Sequence, residues 1–431
     1  MTRFSPLAGL LVTALLLPAA VAGRAAGLDP TAAAQADSLA VDGRPQLVHY
    51  RSRLESALAL PGRVVYAPLG GVLYVLSWSV SDLYERHALD HMKELLTTAD
   101  GRIGVRPLAN TGIGTGFRLF HRDFLAGADW DLTSSFGRSV DDRQHHLLEL
   151  AWHGVGRPGR LLFTLDFSRE PDESYYGIGN GSLAGDRTRF RQEETRAQLV
   201  YRCGTVRWLI VTARIEGAST SIGAPRYGDA PATTGVYPGD QLLDLAGPNR
   251  VVGAAVALQT SLVDVRGSPT HGNNARLDAG LYRDLDGSLS YASFNAVTEQ
   301  FFELFYRRTA SLRLGLDWRP ALGGGEVPVY SMASVGGNLF VRGYQRGRFR
   351  DRGAAFGALI YRFPVARCLD GGVFYESGRT FRDPADLSLG GWHDSYGGGL
   401  RIWVPKGLVF QLLAALSDEE HRILFSFSTD F

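Results

Sequence analysis

From about Ile103 to the C-terminus, apolar residues recur at every second position. In RLLFTLDFS, Leu161, Phe163, Leu165 and Phe167 fall on one side, against Arg160, Thr164, Asp166 and Ser168. SLRLGLDWR sets Leu312, Leu314, Leu316 and Trp318 against Arg313, Asp317 and Arg319. VVGAAVALQTSL and ARLDAGLYRD repeat the pattern, with Val252, Ala254, Val256, Leu258 and Leu262 in the first and Leu277 and Leu281 in the second. The chain ends in the same way, Ile423, Phe425, Phe427 and Phe431 alternating with Ser426, Ser428 and Asp430. A period of two describes half-buried antiparallel strands. A soluble β-sandwich would produce it as well. Connector lengths favour a barrel that crosses a membrane. Short connectors (126–128, 156–159, 203–205, 405–407) alternate with long ones (169–188, 217–249, 323–353). Short turns on one side and long loops on the other are the pattern of outer-membrane barrels, and segments of about ten residues suit tilted spanning strands. The count from Ile103 to Phe431 is about sixteen.

The N-terminal hundred residues follow another rule. MTRFSPLAGLLVTALLLPAAVAG has one early arginine, an apolar run from Leu7 to Leu17 and then Ala20-Val21-Ala22. That order is a secretory signal peptide over 1–22, and an uncleaved anchor is the weaker reading because the apolar run is short. TAAAQADSLA has nothing to bury and reads as disordered. Over 69–97, Leu73, Leu76, Val80, Leu83, Tyr84, His87 and Met92 recur at three-to-four spacing, which predicts one helix packed on something else. The expected architecture is therefore all-β: an antiparallel transmembrane β-barrel over 103–431, preceded by a periplasmic segment over 23–100, partly disordered, with one helix.

Composition removes several functions. Lys+Arg number 45 against 44 Asp+Glu, so the excess basicity of a nucleic-acid binder is absent. Cys203 and Cys368 are the two cysteines; in an exported chain they could pair, but they build neither a disulfide framework nor a zinc site. YYGIGNGS (Tyr175–Ser182) spaces its glycines like a phosphate cradle, but no helix pattern follows, so it reads as a tight external loop. GIGTG (Gly112–Gly116) reads as a hairpin turn. Adjacent His145 and His146 must point to opposite faces of a strand and make a poor metal pair. His87 and His91 stand at helical spacing without the glutamate of a metalloprotease motif. No nucleophile elbow or Ser/His/Asp set is present; no catalytic residue, cofactor or metal is expected.

GGNLFVRGYQRGRFRD (Gly336–Asp351) concentrates four arginines and four glycines between two strand patterns, in the sixth external loop. An arginine turned into a lumen needs a carboxylate. In GGVFYESGRTF, Phe374, Glu376 and Gly378 share one face, and Val373, Tyr375 and Ser377 the other, so the alternation points Glu376 inward.

Five motifs in order resemble the bacterial surface-antigen barrels, the BamA/TamA-like superfamily that includes the two-partner-secretion transporters. They are YYGIGN, the turn DVRGSPTHG (Asp264–Gly272), VRGY (341–344), the Phe-x-Glu-x-Gly strand (374–378) and the terminal phenylalanine strand. The resemblance covers roughly 103–431. It implies that the sixth loop folds into the lumen, with Arg342, Gly343 and Tyr344 as its tip. It also implies that Phe374, Glu376 and Gly378 form the receiving strand, Glu376 standing where the family has Asp. Phe425, Phe427 and Phe431 then form a barrel-assembly signal. LIYRFP places Ile360 where the family often has a second lumenal acid. Residues 23–100 have room for one POTRA domain at most, and show one helix without convincing strand pairs. Arg346, Arg348, Arg350 and Arg352 line the pore or meet lumenal acids such as Asp317.

The resemblance implies an outer membrane protein, not an enzyme, that assembles or translocates proteins. Its partners would be outer membrane lipid, an unfolded or secreted protein client and, during biogenesis, the barrel-assembly machinery, with no nucleic acid. The alternative is a passive or structural barrel: a pore, adhesin or surface antigen. An export port for an enzyme and an enzyme set in the barrel wall are weaker readings, since no enzyme is fused and no catalytic set is visible.

Overall fold

The computed structural model describes residues 96–427 apart from 111–113, 126, 128, 155–157, 207, 228, 238–247, 286–288, 367 and 405–406. The expected signal peptide and nearly all of the 23–100 segment, His87 and His91 included, lie outside the described residues, as does Phe431. The two described residues of the expected helix are not helical. Thr97 forms an antiparallel bridge with Gly104, and the Val105 amide donates to the Leu96 carbonyl at 2.8 Å.

Sixteen antiparallel strands form one sheet in which each strand pairs with the next one along the chain, apart from a short ribbon that lies outside the sheet. The first eleven are β1 Ile103–Asn110, β2 Gly114–His121, β3 Trp130–Arg138, β4 Gln144–Trp152, β5 Gly159–Tyr175, β6 Thr188–Val206, β7 Leu209–Gly223, β8 Asn249–Val263, β9 Gly272–Asp284, β10 Ser290–Phe305 and β11 Arg308–Trp318. The long loop that follows contains a two-stranded ribbon, β12 Ala333–Val335 with β13 Phe349–Asp351. The sheet resumes with β14 Gly353–Ala366, β15 Leu369–Phe381, β16 His393–Val404, β17 Gly407–Leu416 and β18 His421–Phe427. The end strands β1 and β18 approach each other, but no ladder joins them among the described residues.

Two expectations about lengths are corrected. Strands β5 and β6 run for 17 and 19 residues rather than about ten. At roughly 3.3 Å per residue they are longer than a bilayer requires, because their polar outer ends keep pairing beyond the apolar band. The turn expected at 203–205 is part of β6, with a register shift between Gly204 and Val206, and the chain reverses two residues later. Cys203 therefore lies on a strand and Cys368 just before β15; no disulfide joins them.

Burial separates a barrel wall from a soluble sandwich. The alternating apolar residues face outward, as the barrel expectation requires: Ile423 is 77% exposed, Leu281 61%, Val256 50%, and Phe163, Leu359 and Tyr375 are also exposed. Two sheets packed face to face would have buried this stripe. The opposite face is polar and covered, with Glu216, Asp278, Ser311, Asp370, Glu376 and Ser395 all buried. Charge is paired there. Arg214 grips Asp278 with both terminal nitrogens at 2.8 and 3.0 Å, and Arg362 reaches Glu299 at 3.1 Å. The adjacent histidines divide between the faces: His145 meets Asp166 at 3.1 Å while His146 stacks on Phe167. Among the described residues no helix is long and apolar enough to cross a membrane, which leaves crossing by strands open.

If the exposed stripe is a lipid-facing band, an arginine at its middle is expensive. Val256→Arg, at the centre of β8, is expected to lose about 2–4 kcal/mol of stability in a bilayer. Urea titration of the refolded chain in lipid vesicles measures this; an unchanged midpoint would contradict the assignment.

Candidate functional site

The main apolar core lies against the inner face of the sheet, and the loop between β11 and β14 supplies most of it. Ala333, Val335, Val341, Tyr344 and Phe349 pack with Ala354 and Phe356 of β14, and Phe340 stacks on Phe356 at 3.7 Å. Gly378 makes room on β15: a Cβ there would meet the Val341 side chain at 2.6 Å. The loop thus covers the face where the strands turn their polar side chains.

At its tip the loop binds β15 through one carboxylate. Arg342 places Nη2 and Nε 2.8 and 2.9 Å from Oε1 of Glu376, and the Arg342 amide donates to Oε2 at 2.8 Å. The guanidinium carbon lies 3.9 Å from the centre of the Phe374 ring. Both charges are desolvated, the side chains being 12% and 4% exposed, so the hydrogen bonds matter as much as the charge. Val341, just before, has φ of +49°, strained for a β-branched residue and held by its neighbours. Gly343 donates to Ser395 Oγ at 2.8 Å, and a Cβ there would lie 2.6 Å from the Leu416 carbonyl oxygen. The Tyr344 hydroxyl donates to Asp418 in the β17–β18 turn.

The remaining arginines meet other acids, none of them Asp317, which pairs with Arg319 at 3.0 Å. Arg348, 3% exposed, bonds both Glu419 oxygens at 2.6 and 2.7 Å and the Ser182 carbonyl at 2.9 Å, over the faces of Tyr176 and Phe349. Arg350 meets Glu173 and the Val329 carbonyl. Arg346 reaches Glu170 from an exposed position. Arg352 donates its amide to Asp351.

Two more motifs join neighbouring strands. Asn180 of YYGIGN accepts from the Thr380 amide at 2.9 Å and donates to the Gly391 carbonyl at 2.6 Å. At the opposite end of the sheet, the turn 264–271 folds against β15 and β16. Ser268 donates to Asp370 at 2.6 Å, and a Cβ on Gly267 would overlap the Val404 carbonyl oxygen. Asp264 closes this turn, accepting from the Thr270 amide and hydroxyl at 2.9 and 2.7 Å. Partial burial raises its pKa, but the bonds from Thr270, Val265 and His271 outweigh burial and hold it below the usual Asp value.

The residues Arg342, Gly343, Tyr344, Phe374, Glu376 and Gly378 are therefore brought together in one place. Ile360 lies in register with Phe374, carrying no charge to the loop. Phe425 faces outward, while the side chain of Phe427 lies outside the described residues. The sequence reading missed the partner side of the loop: Ser395, Asp418, Glu419 and above all Arg422. From β18, Arg422 donates to the carbonyls of Gly337, Arg342 and Tyr344 at 3.2, 3.0 and 2.5 Å. Its signal was an arginine near the start of the alternating final strand. Among the described residues no three metal-ligating side chains gather.

Comparison with known proteins gives one family. Residues 245–431 match the sequence profile of the Omp85 superfamily domain, so the likeness inferred from the motifs is borne out. None of the curated proteins matches in sequence. The structure is similar to BamA from Haemophilus ducreyi lacking POTRA domains 1–3, with 14% identity, a TM-score of 0.54, and coverage of 75% of this chain and 68% of that one. CdiB from Acinetobacter baumannii (12% identity, TM-score 0.45) and from Escherichia coli (13%, 0.47) are covered over 58% and 61% of their lengths by 75% of this chain.

Glu376→Gln leaves Arg342 buried without its counter-charge and is expected to cost about 3–5 kcal/mol. Replacing both residues with Met should cost less than either single change. Equilibrium unfolding with protease cleavage of the loop measures both; a fully additive double variant would contradict the pairing. For Asp264, the lowered pKa means that its contribution is complete above the ordinary Asp value of about 3.9 and fades as pH falls below it. Asp264→Asn should flatten the acid limb of the stability profile between about pH 4 and 2, read by urea midpoint; an unaltered limb would exclude this role.

Proposed function

Because residues 245–431 match the Omp85 superfamily domain, we propose that this chain is an outer membrane β-barrel that assembles or translocates proteins, its lumen held shut by the sixth external loop. The carrying observation is the desolvated Arg342–Glu376 pair, with Gly343 and Tyr344 fitted beside it. A passive pore works with an open lumen; here an apolar cluster and the buried or part-buried loop cations Arg342, Arg348 and Arg350 lie across the inner face. The anchoring is also placed where a client could be received. Arg422 ties the loop to β18, and the edges of β1 and β18 face each other with no ladder among the described residues. An edge strand carries unpaired backbone groups that another strand can complete. In this reading the loop holds the β18 side of the seam in position, and a client strand competes for that edge.

The test is depletion of the protein followed by a survey of outer membrane protein content. Loss of other barrels or of a secreted client is expected; an unchanged proteome would favour the passive alternative. In planar bilayers the purified chain should show small, fluctuating conductance that becomes larger in Arg342→Ala. A large steady pore in the unaltered chain would overturn the closed-lumen reading.

A further inference from the structure

Beneath the loop tip, the inner wall formed by β14 to β17 lines a partly open cavity of about 110 Å³, bordered by Arg342, Ile360, Arg362, Arg401, Gln411 and Leu413 among others. Three guanidinium groups thus border a space only a few water molecules wide. Arg342 is committed to Glu376 and Arg362 to Glu299 through Nη2. Arg401 makes one hydrogen bond among the described residues, from Nη2 to the Gly267 carbonyl at 3.1 Å, and no ion pair. Two donors are left over. Nη1 of Arg362 and Nε of Arg401 are both shut off from solvent and have no protein partner among the described residues.

The local charge does not balance either. Arg313, Arg342, Arg362 and Arg401 are four cations, and Glu299, Asp370 and Glu376 are three carboxylates. Water can accept from the two donors, but it cannot offset the remaining positive charge. A buried cation without a counter-charge is among the costlier arrangements available to a protein.

We propose that this cavity binds a small monoanion, a halide or a one- or two-carbon carboxylate, accepted by Arg401 and Arg362. The site is too narrow for a peptide and too poor in charge for a polyphosphate. Because Arg342 borders the same cavity, the anion also supports the residue that fixes the loop, linking the ionic surroundings to the strength of the loop anchor.

The test uses the full chain refolded in detergent, followed by the loss of its heat-modifiable folded band on warming. At constant ionic strength, sodium chloride or sodium formate should raise the transition by a few degrees over the bulkier gluconate, and the rise should saturate. Arg401→Gln removes the excess charge, and Ile360→Glu supplies a carboxylate into the same cavity; either should abolish the chloride dependence. Identical transitions in chloride, formate and gluconate would overturn the proposal. So would a chloride dependence that persists undiminished in Arg401→Gln. If neither variant folds, the anion series on the unaltered chain still decides.

Discussion

The outward-facing apolar stripe is the constraint from which the rest of the structure follows. A strand has two faces, and once leucine, valine and phenylalanine occupy the outer one, polar side chains must occupy the inner. The inner face is too confined for those groups to remain freely hydrated, so they must satisfy one another. Arg214 with Asp278, and Arg362 with Glu299, do this within the wall. Among the described residues such a wall has little apolar core of its own, a small cluster of Phe374, Leu413 and Ala415.

The loop between β11 and β14 makes up for that. It brings Val335, Val341, Tyr344 and Phe349 to pack on Phe356, and arginines for the acids that the wall and neighbouring turns present. Its attachment is distributed: Glu376 on β15, Ser395 on β16, Asp418 and Glu419 in the last turn, and Arg422 on β18. Glycine appears where backbone meets backbone. At Gly343 the Leu416 carbonyl leaves no room for a Cβ, so a loop of ordinary composition could not reach the same depth.

Arginine rather than lysine suits these contacts for a physical reason. Glu376 receives two side-chain donors and one backbone donor, an arrangement that needs a planar fork and not a point charge. Arg348 fixes Glu419 in the same way while its face rests on Tyr176 and Phe349. Where the carboxylates run short, near Arg401, the same chemistry leaves unpartnered donors on residues that line a cavity.

Period-two alternation determined, by itself, the strands, their approximate number and the face each residue occupies, because neighbouring side chains on an extended backbone must point apart. That is why Glu376 could be assigned to the inner face and Tyr375 to the outer from eleven residues of sequence. Strand ends were less legible: β5 and β6 continue well past the apolar band, since backbone pairing there needs no hydrophobic pattern. Partners across long separations were not legible at all. Arg422 with the loop carbonyls, Arg348 with Glu419 and Asn180 with Gly391 join positions 71 to 211 residues apart. No local rule relates such positions; only the register of sixteen strands, set one against the next, brings them within hydrogen-bonding reach.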